Sequence, residues 1–190
     1  MGFTSKEAAL LSMPSGLVSA ISVAVAGYGI RHFGHRWAWI SLCALVGTLG
    51  AGLMSFLPHD KTAGLLAGIW LINAITATLY MMYHYIGANV SGYTKRSIAG
   101  TTVALSFGIG NIIGPQTFQA RDAPEYRPAK IAAMATQLGS AASVCCLALY
   151  YLRENRRKEG RKQAGDVQEA DSETWAGLTD KQNSRFRYVY

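Results

Sequence analysis

Charge is scarce in this sequence. Asp, Glu, Lys and Arg make up 15% of the 190 residues, where soluble domains carry about 25%, and the deficit argues against a water-soluble enzyme. The charges present are also unevenly spread, since residues 1 to 152 hold 9 of the 18 Lys and Arg and 4 of the 11 Asp and Glu. An apolar body is followed by a highly charged tail. Cysteine is scarce too: Cys43, Cys145 and Cys146 sit inside apolar runs, with neither a metal-ligand nor a disulfide spacing. The net charge of +7 comes from short basic clusters between long uncharged runs, not from one continuous basic face, so no nucleic-acid partner is expected.

Catalytic motifs are missing as well. There is no nucleophile elbow, phosphate loop or helical two-histidine zinc motif. His32 and His35 stand beside Arg31 and Arg36 with no cysteine or carboxylate ligand set. The glycines of Gly108–Gly114 lack the dinucleotide-binding spacing and any flanking soluble strand. No enzyme activity, metal or cofactor is expected.

What the sequence does have is long uncharged runs. A bilayer core about 30 Å thick needs roughly 20 apolar residues in a helix rising 1.5 Å per residue. Five stretches without Asp, Glu, Lys or Arg qualify: Ala8–Ile30, Trp37–His59, Thr62–Thr94, Ser97–Ala120 and Ile131–Leu152. The expected fold is all-α and polytopic, with residues 1–152 as a transmembrane domain and 153–190 as a charged cytoplasmic tail. The first run follows Lys6 and Glu7, is long and has no clear cleavage site, so it is expected to remain in the mature chain. Lys6 also stands where a myristoylation signal has Ser or Thr.

Basic flanks are retained in the cytoplasm. One side of the spans collects ten basic residues, Arg31, Arg36, Lys95 and Arg96 with Arg153, Arg156, Arg157, Lys158, Arg161 and Lys162. The other side has five, Lys6, Lys61, Arg121, Arg127 and Lys130. This places the tail in the cytoplasm and the N-terminus outside. The sequon at Asn89 then lies at a cytoplasmic end and is not expected to be glycosylated. The basic run after Leu152 is a stop-transfer flank that attracts anionic lipid, at about 1 kcal/mol per residue near the surface, and acidic Asp166–Glu173 reads as disordered.

Helices in lipid associate through small residues that let backbones approach. Ser12, Ser15, Gly16, Ser19, Ala26 and Gly27 share one side of span one at 100° per residue; Ala99, Thr102, Ser106, Gly110 and Thr117 do so on span four, and Thr136, Gly139, Ser140 and Ser143 on span five. The pairs Gly64/Gly68 and Gly110/Gly114 have close-packing spacing. On span three Asn73, Thr76, Tyr80, Tyr83, His84 and Gly87 fall on a common side. A polar side inside a membrane faces protein or a water-filled cavity. Asn73, Tyr80 and His84 are therefore candidates to line a substrate path, with helix-to-helix hydrogen bonding as the open alternative; His84, close to the basic flank, reads as a wetted end residue in preference to a proton relay. In span four, Gly108–Gln116 removes side chains and then an amide donor, so a loosened helix with Asn111 and Gln116 facing a cavity is expected there.

Gly27-Tyr28-Gly29-Ile30-Arg31-His32-Phe33-Gly34-His35-Arg36 resembles the short cytoplasmic loop between the eighth and ninth helices of major facilitator superfamily transporters. Gly34 and Arg36 fit; the acidic residue often found there is Arg31 here. Asn89–Ser97, Gly110–Pro124, Leu178–Asn183 and Phe186-Arg187-Tyr188 together resemble the fungal allantoate permease family of anion:cation symporters. The likeness covers nearly the whole chain but only the back of the family's pattern, from about the eighth of twelve helices. It implies proton-coupled transport of a small organic anion, a ureide or vitamin carboxylate, across the plasma membrane. For a family member the substrate lies between two six-helix halves, so the partners implied are the organic anion, membrane lipid, and an N-terminal half or another transporter chain. Transport by these residues alone is not implied. The alternative is a non-transporting membrane protein that pairs with a transporter chain. The resemblance leaves Arg31, Gly34, Arg36, Lys95 and Arg96 as topology-setting loop residues, and Asn111 and Gln116 as cavity contacts.

Overall fold

A computed structural model describes residues 4–58, 61–123, 125–163, 180–181, 183 and 186–190. Six helices carry the fold among them: α1 (Ser5–Phe33), α2 (Arg36–Phe56), α3 (Thr62–Ile72), α4 (Thr76–Asn89), α5 (Tyr93–Gln116) and α6 (Arg127–Gln163). α3 and α4 run on through a 3-10 turn at Asn73–Ile75, so the helices form five segments long and apolar enough to cross a membrane. α1 starts on a capping box, in which the Thr4 hydroxyl accepts from the Glu7 amide and the Glu7 carboxylate accepts from the Thr4 amide. It ends at Gly34, whose φ of +66° suits glycine, and His35 continues the reversal at φ +47°.

α2 is the centre of the bundle. It packs along both α6 and α3 and also touches α4 and α1. Lipid supplies no hydrophobic drive between helices, so fit decides what packs. On α2, a Cβ added at Gly50 would lie 2.6 Å from the Ile72 amide nitrogen and 2.7 Å from the Gly68 carbonyl oxygen, and one at Gly47 would lie 2.6 Å from Gln137 Oε1. These two glycines let α3 and α6 close on α2 from different sides. The buried cluster of Ala26, Ile40, Cys43, Ala77, Met81, Tyr85 and Val144 joins α1, α2, α4 and α6.

Several expectations are corrected in detail. The irregular helix lies in span three, not span four: α5 is continuous through Gly108–Gly114, because glycines keep their amide donors and Pro115 falls in its last turn. In span three the Asn73 side chain donates to the Ile69 carbonyl at 2.8 Å while the Asn73 amide turns to Trp70 and Leu71, which tightens the helix locally. The small-residue stripes are only partly packed. Ser15, Ser19 and Ala26 face the bundle, but Ser12, Gly16 and Gly27 point away. α6 packs through Gln137, Ala141, Val144 and Ala148, leaving Thr136, Gly139 and Ser143 exposed. Gly64 and Gly68 are in tight contact, whereas Gly110 and Gly114 meet nothing. α6 also continues past Leu152 to Gln163, through Arg, Lys and Glu residues that are good helix formers. The acidic stretch Asp166–Glu173 and residue His59 lie outside the described residues.

Candidate functional site

The five path candidates do not converge. Asn73 is half-buried at the 3-10 turn, where its carbonyl accepts from Ser19 Oγ of α1 at 3.2 Å. Ser19 Oγ also lies 3.4 Å from Thr76 Oγ1, so Asn73 takes part in a polar junction between helices. One turn on, the polar side leaves the bundle: Tyr80, Tyr83 and His84 are exposed. The side that packs instead carries Ala77, Thr78, Met81, Tyr85 and Asn89. Asn111 is exposed, with its amide on the Phe107 carbonyl at 2.9 Å, and Gln116 is the exposed last residue of α5. Among the described residues no hydrogen bond joins any two of the five. α5 as a whole has no buried residue; it packs on α4 and, through Lys95 at its start, reaches Asp180. A recess of about 380 Å³ on α6, lined by Tyr150, Arg153, Glu154 and Arg157, contains none of the five.

The loop residues behave differently. Arg31 and Gly34 are exposed at the α1–α2 reversal, and Arg36 opens α2 with Nη1 buried and without a partner, as is the Tyr85 hydroxyl. Arg96 donates from Nε to the Val90 carbonyl at 3.1 Å, closing the α4–α5 turn in which Gly92 takes φ +91°. Lys95 forms an ion pair with Asp180.

That pair belongs to the most elaborate polar arrangement among the described residues, which connects the α4–α5 turn, α6 and the end of the sequence. Asn155 of α6 donates to the Tyr188 carbonyl at 2.7 Å and accepts from the Tyr188 amide at 2.9 Å. Asn89 does the same to Val189, at 2.8 and 2.6 Å. In extended backbone, successive residues turn their N–H and C=O to opposite sides. The Phe186–Tyr190 segment, which is outside any helix, therefore lies between α4 and α6, held by one asparagine from each. Lys158 donates to the carbonyls of Asp180, Asn183 and Phe186, at 2.6, 3.2 and 3.1 Å. The Tyr188 ring stacks on Tyr151 at 4.6 Å, and its hydroxyl donates to Asp180 at 2.6 Å. Burial alone would raise the Asp180 carboxyl, but hydrogen bonds from Lys95 and Tyr188 outweigh it and hold the group below its usual range. Burial, and then the Asp180 carboxylate, push the Tyr188 phenol upward.

Asn89, Asn155, Lys158, Asp180 and Tyr188 were not predicted as a site. The sequence carries a signal for them in Leu178–Asn183 and Phe186–Tyr188, but backbone recognition by asparagine leaves no side-chain pairing pattern to read.

Five apolar helical segments, with α2 packed among α1, α3–α4 and α6 and α5 set against α4, define a polytopic membrane protein. The chain aligns over its whole length with fungal transporters, and its fold resembles the last five helices of a major facilitator transporter. It is 32% identical to an uncharacterised transporter of Schizosaccharomyces pombe over 100% of this chain and 37% of that protein. It is 30% identical to the MFS-type transporter cnsL of Penicillium expansum, over 100% of this chain and 39% of that protein, and 28% identical to the allantoate permease of Saccharomyces cerevisiae, over 99% and 36%. The chain thus spans well under half the length of these relatives, in their C-terminal part. No family model and no solved structure matches it.

Proposed function

We propose that the chain supplies the last five helices of a proton-coupled permease for a small organic anion of the ureide or vitamin carboxylate class. The observation that carries this reading is the whole-length similarity to fungal transporters, an allantoate permease among them. Two features of the molecule support it. The polar side of α4 at Tyr80 and His84 faces outward, where further helices would enclose a path continuing from Asn73. α5 carries its stripe of Ala99, Thr102, Ser106 and Gly110 uncovered, with Asn111 and Gln116 at the far end, as a face for a second half requires.

In this reading residues 1–152 form the transmembrane domain, in the plasma membrane, with 153–190 cytoplasmic. Arg31, Gly34, Arg36, Lys95 and Arg96 set the topology, and the exposed arginines of α6 meet anionic lipid headgroups. The test is co-expression with the N-terminal helices of the yeast allantoate permease, with uptake of labelled allantoate measured at acidic and neutral external pH. The expected result is uptake above that of the helices alone, faster in acid. Normal insertion with no uptake of any ureide or vitamin carboxylate counts against the reading. It would leave the second one, a non-transporting chain that pairs with a transporter, which the uncovered face of α5 equally favours.

A further inference from the structure

The end of the bundle where α4, α5 and α6 meet is held together by a strand, not by helix-to-helix packing alone. We propose that this end is a binding site for an extended peptide, read chiefly through its backbone, and that Phe186–Tyr190 is its detachable ligand.

Two asparagines each engage both backbone groups of one residue, Asn155 at Tyr188 and Asn89 at Val189. With the segment in place Asn89 is 1% exposed, and both ends of its amide are bonded to Val189. The two asparagines make four hydrogen bonds to main chain and Lys158 adds a fifth, to the Phe186 carbonyl, while Val189 as a residue remains 40% exposed, so the site holds the backbone rather than a side chain at that position. Specificity comes from the residue before it. Tyr188 is 4% exposed, with its ring on Tyr151, Phe186 edge-on at 5.3 Å, Lys158 Nζ 5.1 Å from its ring centre, and its hydroxyl on Asp180. Arg187 adds an exposed pair with Glu159 at 2.8 Å, of the kind that contributes little.

While docked, the segment ties the adjoining ends of α4, through Asn89, and α5, through Lys95 and Asp180, to α6, through Asn155 and Lys158. Under the transport reading, release would free those elements to move independently; the docking itself does not depend on that reading.

The test needs no transport. Trypsin cuts after Arg187, and in the full chain docking protects that bond. Asn89→Leu and Asn155→Leu should each speed the cut by about tenfold or more, as expected when two hydrogen bonds at a buried site are lost, while Gly110→Ala, which meets nothing, leaves the rate unchanged. Separately, a peptide of residues 180 to 190 should bind a chain shortened to residue 163. Its Val189→Ala form should bind equally well, and a form N-methylated at Val189 should bind about tenfold or more weakly, since only the latter loses the donor to Asn89. Equal cleavage in folded asparagine variants and parent, or affinity indifferent to N-methylation, overturns the proposal. If the asparagine variants lose their helical signal, the peptide pair decides, because neither peptide alters the helices; if the shortened chain does not fold, the cleavage rates decide. Protection that appears only as protein concentration rises overturns the intramolecular ligand and hands the site to the strand of a second copy.

Discussion

Gly50 and Gly110 both lie in helices rich in small residues, yet their surroundings have nothing in common. A methyl at Gly50 would press on the Ile72 amide and the Gly68 carbonyl, backbone atoms that cannot rotate aside, whereas one at Gly110 would meet open space. Gly50→Ala is therefore expected to destabilise the bundle by about 1–3 kcal/mol, the range for overpacking. Gly110→Ala should change it by less than about 0.5 kcal/mol. Denaturant unfolding in detergent, followed by circular dichroism, checks both. Asn73 and Tyr80 diverge in the same way. The Asn73 side chain holds the Ile69 carbonyl at the 3-10 turn, so Asn73→Ala, which keeps the Ser19 bond to the main chain but loses this one, should lower folded yield; exposed Tyr80 has no such tie, and Tyr80→Phe should leave insertion intact. If the proposed path exists, only the second substitution separates uptake from folding.

At the scale of elements, the docked strand has a defined pH window. Asp180 is held below its ordinary value of 3.8, so its contribution is complete above that value and is lost as pH falls through the lowered one. Tyr188 is raised above its ordinary value of 10, so its contribution is complete below that value and is lost as pH rises through the raised one. Lys95, Lys158, Tyr150, Tyr151 and Glu154 share the surroundings. A dye attached at Tyr190→Cys should show high anisotropy across neutral pH that falls on strong acidification and again in strong alkali. In Asp180→Asn the acid limb should disappear.

The spans themselves were legible in the sequence, because absence of charge marks what hydrocarbon tolerates. Their ends were not, since a helix continues through arginine and lysine as readily as through leucine. α1 passes Arg31 and stops only at the positive-φ glycine, and α6 runs eleven residues beyond Leu152. Glycine and proline point to a loosened helix at Gly108–Gln116, while the interruption, at Asn73–Ile75, comes from an asparagine side chain taking a carbonyl from its own helix. The strand site was hidden for a related reason: Asn89 and Asn155 are separated by 66 positions in the sequence and meet only through backbone.

For the molecule as a whole, the contrast is between a well-packed α2 and a bare α5. α2 is enclosed by its neighbours, whereas α5 has no buried residue. If the stripe at Ala99, Thr102, Ser106 and Gly110 receives other helices, a cysteine at Gly110 should react with a membrane-permeant maleimide when the chain is expressed alone. It should react at least several-fold more slowly when the N-terminal helices of a relative are co-expressed. Equal labelling in both cases would remove this face from the assembly.

Span three also carries more length than a bilayer needs. Thr62–Asn89 has 28 residues, about 42 Å of helix against a hydrocarbon core of about 30 Å. The surplus is roughly two turns, to be absorbed by tilt or by protrusion. A surplus protruding at the α4 end would bring Tyr85–Asn89 to headgroup level, where water solvates the terminal segment before it docks. A span cut to the minimum would draw Asn89 into hydrocarbon, and a strand bearing Arg187 could not reach it there.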